Sequence, residues 1–211
     1  MRNEEIQWLG TDNGFLEKRI SLVDSTVHYN ASNGFVNDKV LSFFKFENNL
    51  WIGTSQSGLF VQDLVTKKIN KINWPYGSLH HRVNQLIVRN GIVYAATNGG
   101  LVIYDSNIKS YSLLSTKDGL AHNAIKAIHL SHDNKIYLGM RSQNLYVIDN
   151  NKLNEVRVVD GGDIEIIDIA ERSNGSIIAA TSDDGIFEMD NNKVVRYFED
   201  DGLKSNYTYA I

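Results

Sequence analysis

NNLWIGTSQSGLFVQD (residues 48–63) holds a turn, an apolar run ending in Gly-Thr, a polar break and a second apolar run. It has relatives along the chain: QWLGTDNGFL from Gln7, VYAATNGGLVIYD from Val93, IYLGMRSQNLYVID from Ile136 and IIAATSDDGIFEMD from Ile177. The anchor falls at Trp8, Trp51, Tyr94, Tyr137 and Ile178, at spacings of 43, 43, 43 and 41 residues. A second phrase keeps step with the first and carries an apolar pair three residues apart, Val40/Phe43, Val83/Leu86, Ile125/Ile128 and Ile166/Ile169, with NYTYAI closing the chain in the same place. Two phrases locked at one period mark a repeat architecture.

Each apolar run is short and rich in β-branched and aromatic residues, which reads as a strand. Asn48-Asn49, Asn90-Gly91, Asp133-Asn134 and Asn174-Gly175 separate the first run of a unit from the second, and DNNK at Asp149 and Asp190 separates the third from the fourth. Asn and Gly tolerate the positive φ that tight hairpins need. No segment carries a helical stripe. Four short strands every forty-odd residues predict an all-β β-propeller of five four-stranded blades, one domain over residues 1–211. Two packed β-sandwiches are the rival, but they need no strand quartet at a fixed period. The small residue after each anchor (Gly10, Gly53, Ala96, Gly139, Ala180) lets a neighbouring sheet approach, and the aromatic anchors fill the space between blades. Trp74, near a loop, is expected to matter less than Trp51.

The register is continuous across the termini. Eight residues separate Ile211 from Trp8 through a notional join, as they separate Phe43 from Trp51. The expectation is a closed ring in which residues 207–211 supply the inner strand of the first blade and remove an exposed edge.

Composition excludes several functions. The chain has 211 residues, a formal charge of −4, no basic run and no cysteine. A nucleic-acid binder's electrostatic footprint, a disulfide framework and thiol chemistry are therefore absent. There is no apolar run long enough to span a membrane, and MRNEEIQWLG is not a signal peptide.

LWIGTSQSGLFVQD and DGLAHNAIKAIHLSHDNKIYLGM resemble the two-component regulator propeller repeat, over the whole chain. Copy four departs from the pattern with YLGM and Asn144 near the place of the following glycine, and copy five with IAAT. The resemblance implies a periplasmic input region of a sensor histidine kinase, often a hybrid one, of Bacteroidetes-like bacteria, sensing a glycan fragment. The kinase would belong to the same parent protein; no kinase core is present in this stretch.

Ligands of propellers gather at the mouth of the central channel, where the chain enters the first strand of each blade. Those positions are Asn37, Asp38 and Lys39; His80, His81 and Arg82; His122, Asn123 and Ala124; Asp163, Ile164 and Glu165; Ser205, Asn206 and Tyr207. The ring is polar and mixed in charge, which suits an oligosaccharide or another polar small ligand, with His81, Arg82, His122 and Asn123 foremost. The competing reading is that Asn, Ser and Asp cap turns there. His80 and His81 are adjacent on a strand and point to opposite faces, so no metal is read, nor any cofactor. Asp183-Asp184 sits in a solvated turn, and no nucleophile elbow, phosphate loop or HExxH motif is present, so no catalytic residue is named. An interaction scaffold without a small ligand is the alternative function.

Overall fold

The computed structural model describes residues 5–20, 25–159, 162–190 and 193–211. The expected turn at Asn191-Asn192 lies outside them. Strands β1 (Glu5–Thr11), β2 (Gly14–Ile20) and β3 (Ser25–Tyr29) form a three-stranded antiparallel sheet. Four four-stranded meanders follow. They are β4 (Val40–Phe46), β5 (Asn49–Thr54), β6 (Leu59–Asp63) and β7 (Ile69–Ile72); β8 (Val83–Arg89), β9 (Ile92–Thr97), β10 (Gly100–Asp105) and β11 (Ser110–Leu114); β12 (Ile125–Leu130), β13 (Ile136–Ser142), β14 (Asn144–Asp149) and β15 (Lys152–Arg157); and β16 (Ile164–Glu171), β17 (Ile177–Thr181), β18 (Ile186–Asp190) and β19 (Lys193–Tyr197). The last two sheets are joined where Arg141 and Ser142 of β13 pair with Glu165 and Ile164 of β16. Among the described residues the only helical elements are four short 3-10 turns.

The odd spacing of the apolar pairs has a structural cause. Strand side chains alternate, so residues three apart face opposite ways. Every complete sheet carries a bulge between the two members, at Val40/Ser42, Val83/Gln85, Ile125/Ala127 and Ile166/Asp168. The extra residue turns both members inward.

Each apolar cluster sits at a seam between consecutive sheets. Trp8 packs with Phe43, Trp51 with Leu86, Tyr94 with Ile128 and Tyr137 with Ile169. Each anchor thus meets the first strand of the next sheet. The small residue beside the anchor makes this approach possible. A Cβ built on Gly53 would lie 2.6 Å from Cγ1 of Val83 and 2.4 Å from Oγ of Ser42; one on Gly139 would lie 2.5 Å from Cγ2 of Ile166. Val83 and Ile166 are branched, fully buried and unable to step aside. Gly53→Ala is therefore expected to destabilise by about 1–3 kcal/mol, as overpacking does, read as a lower urea midpoint at unchanged slope.

Two expectations need correction. The first sheet has three strands, and residues 207–211 form no strand with it. Their backbone groups are engaged elsewhere. Thr208 N donates to Thr181 O at 3.2 Å, its Oγ1 accepts from Thr181 N at 3.0 Å, and Ile211 N donates to Oδ2 of Asp168 at 3.0 Å. The segment lies against the last sheet as an inner strand of a following sheet would, with Ile211 beside the fifth anchor, Ile178, in a cleft of about 440 Å3. Ring closure on β1 is not formed. Trp74 is also not peripheral: it is 8% exposed and packs in the same cluster as Trp51.

Candidate functional site

The five inner segments bring the expected ring of residues to one end of the sheets, the end that also carries the turns between the second and third strands. Several of its members hold loops together. Asp38 is buried; its carboxylate accepts from Oγ of Ser55 and from the backbone N–H of Gln56 and Ser57 at 2.9 and 2.7 Å. Burial raises its carboxyl and these hydrogen bonds outweigh that, so Asp38 titrates below the ordinary value of 3.8. With the folded-state value depressed, its stabilising contribution is present above the ordinary value and is lost as pH falls through the folded one. Asn123 Oδ1 accepts from Thr116 N at 2.8 Å, and Asn206 Oδ1 from Glu199 N at 2.9 Å, each closing a loop of the same design. Ser205 Oγ accepts from Tyr207 N. His80 lays its ring on Gly99 and tilts against Tyr76 with 5.2 Å between ring centres.

The remaining members leave polar groups nearer solvent. Arg82 is exposed and donates from Nε to Asn84 Oδ1 at 2.9 Å. His81 is half-buried and offers its carbonyl to Gly58 N. His122 is exposed, and its Nδ1 accepts from Ala124 N at 3.0 Å, which leaves the proton on Nε2. Asn37 and Asp163 are exposed. Arg82, His122, Asn37 and Asp163 thus keep side-chain groups available at this end.

A polar network beneath the ring was not foreseen. Gln85 Nε2 donates to Asp168 Oδ1 at 3.1 Å, while Gln85 Oε1 accepts from Ile128 N at 2.8 Å. The contact between Asp168 and Ile211 repeats, two units on, the second of these bonds. The residues occupy one repeat position, filled by Ser42, Gln85, Ala127 and Asp168. Two long polar groups where the other copies have small ones were the available signal. The network fastens the inner strands β8, β12 and β16 to one another.

At the other end of the sheets the seams open into polar clefts. One of about 530 Å3 is lined by Arg89, Tyr94, Asp133, Asp149 and turn asparagines; others of about 430 and 380 Å3 occupy the neighbouring seams. The roomiest of these clefts is thus opposite the predicted ring.

No family model matches the chain. A curated relative, Histidine kinase P4 of Formosa agariphila, is 22% identical over 151 residues, 66% of this chain and 11% of the kinase. Among solved structures, the extracellular domain of a protein assigned to a hybrid two-component system, BT3049 of B. thetaiotaomicron, superposes with a TM-score of 0.77 at 18% identity, over 97% of this chain and 28% of that one. A second extracellular domain, that of BT4673 of B. thetaiotaomicron, described as part of a hybrid two-component system, superposes with a TM-score of 0.59 at 14% identity, over 99% of this chain and 34% of that one. PorZ, a surface component of the type-IX secretion system of Porphyromonas gingivalis, superposes with a TM-score of 0.69 at 15% identity, over 97% of this chain and 34% of PorZ. The chain therefore spans about a tenth of its curated relative and less than a third of the BT3049 domain. At these identities the structural likeness speaks to the fold alone.

Proposed function

We propose that these residues form a non-catalytic, ligand-sensing input region of a two-component signalling protein, on the periplasmic side, coupled to a histidine kinase in the same parent chain. The observation that carries this reading is the run of consecutively packed repeat sheets whose structural neighbours include the extracellular domain of a protein assigned to a hybrid two-component system. The ligand is a glycan fragment or another polar small molecule. Arg82 and His122, exposed and carrying donors of different kinds, are its first contacts, with His81 and Asn123 beside them. Asn37, Asp38, His80, Asp163, Ser205 and Asn206 complete the ring, Asp38 and Asn206 by shaping loops.

A thermal-shift screen against oligosaccharides tests the reading. Ligand binding to the folded state raises the melting temperature with ligand concentration. The His81→Ala/Arg82→Ala/His122→Ala variant is expected to fold normally and to lose that response. A response unchanged in the triple variant would place the ligand elsewhere, in the first instance at the seam clefts of the other end.

The second reading is an assembly scaffold with no small ligand. The loop-tying roles of Asp38, Asn123 and Asn206 favour it, since each already spends its acceptors within the fold, and the likeness to PorZ supplies a surface component of a secretion system with similar architecture. A scaffold would give no melting response to any saccharide.

A further inference from the structure

On the outer rim of the mouth end, between β15 and β19, lies a cleft of about 390 Å3. Arg157, Val158, Val159, Val194 and Arg196 line it. Val158 and Val159 are buried and form an apolar floor, their backbone N–H groups both directed to Gln143 O. The chemistry is that of two cations at the edge of an apolar pocket.

Arg196 is held in an unusual way. Its guanidinium carbon lies 4.9 Å from the ring centre of Phe187 and 4.6 Å from that of Phe198. Rings stacked on a guanidinium restrict its plane while leaving its N–H edge free to bond. That edge is poorly used. Asp184 reaches only Nη2, at 3.5 Å, and the buried Nε has no hydrogen-bond partner. An unpaired buried N–H is a penalty that a bidentate acceptor removes, because a carboxylate spans adjacent N–H groups of one guanidinium. A stacked arginine with an unpaired donor, a second arginine and a valine floor occur together in one cleft.

We propose that this cleft binds an organic anion: a carboxylate that pairs with Arg196, carried on an apolar body that lies on Val158, Val159 and Val194, with Arg157 adding attraction from the rim. The site is independent of the ring at the channel mouth and does not rest on the signalling reading.

Benzoate is the probe, titrated into the whole chain at low salt and followed by the Nε–H resonance of Arg196 and by the melting temperature. Binding is expected to shift that resonance saturably and to raise the melting temperature. Acetate, which lacks the apolar body, should bind at least tenfold more weakly. Arg157→Gln, at an exposed position, should keep the fold and weaken benzoate roughly tenfold, about 1.4 kcal/mol. Arg196→Gln should abolish binding; because Arg196 also packs between two rings, the Arg157 variant and the acetate comparison decide the matter if Arg196→Gln unfolds. An unmoved Nε–H resonance, equal binding of acetate and benzoate, or affinity unchanged in Arg157→Gln would each overturn the proposal.

Discussion

Trp51→Ala is expected to lower stability by about 3–5 kcal/mol, the range for removing a large aromatic from a packed core. Trp51 is 4% exposed and fills the seam between the second and third sheets, among Leu86, Val88, Val93 and Val102, with its ring edge-on to Tyr104 at 6.2 Å. Its Nε1 is buried and bonds to nothing, so the loss is one of packing and no hydrogen bond is broken. The neighbours that would have to collapse into the space are strand residues fixed by their ladders, so the cavity should persist. Trp51→Phe keeps most of the ring and should lose far less. Trp74→Ala should fall in the same range as Trp51→Ala, since both tryptophans belong to one cluster. Leu9→Ala, at a position 63% exposed, is the control and should stay within about 0.5 kcal/mol. Urea midpoints measure all four. A Trp51→Ala variant within about 1 kcal/mol of the parent would mean that the seam is not a packed core.

The contrast between Trp51 and Trp74 shows how far a repeat can be read. The anchors at Trp8, Trp51, Tyr94 and Tyr137 were legible because one large residue recurs at one period, and their partners, Phe43, Leu86, Ile128 and Ile169, because the apolar pair recurs with them. Even the bulge was present in the odd spacing of that pair. Trp74 lies beyond the end of β7, where no copy repeats it, and is buried by contacts from another strand and turn. Ring closure was beyond reach for a different reason. The period sets the length of a unit, whereas the number of units in a turn depends on the angle between packed sheets. Matching register across the termini therefore did not place Ile211 on β1.

The candidate residues were picked by their position before the first strand of each unit, and their role as ligand contacts is a proposal. Four of their five groups precede the bulged inner strand of a sheet, and Ser205 and Asn206 precede the strandless segment 207–211. Asn123, put foremost, and Asn206 were named as ligand contacts against a competing reading as turn caps, since an amide oxygen serves both; in this structure they accept from Thr116 N and Glu199 N. Gln85 and Asp168 were hidden because their shared position carries four different residue types.

The same limit hid an ion cluster whose disruption should rival the loss of Trp51. Glu17 of β2 is fully buried, and its carboxylate meets Arg19 Nε at 3.0 Å and Lys67 Nζ at 3.0 and 3.2 Å. Lys67 belongs to the turn between β6 and β7, so the cluster fastens the first sheet to the second across fifty residues of sequence. Its members are unequal. Arg19 and Lys67 keep 34% and 30% of their side chains in water and can turn outward if the carboxylate is removed, whereas Glu17 cannot. The Arg19→Met/Lys67→Met double variant, which preserves the apolar stems, strands a buried carboxylate and is expected to cost about 3–5 kcal/mol. Glu17→Gln removes the charge that demands partners and should cost clearly less. Adding Glu17→Gln to the double variant should restore part of the loss, since a neutral amide tolerates burial better than an unpaired anion. Because Glu17 is shielded from solvent, the penalty in the double variant should persist at high salt, where an exposed pair would be screened out. Denaturant midpoints of the three variants at low and high salt measure the order. A double variant no less stable than Glu17→Gln would show that water reaches Glu17 and that the first seam opens in solution.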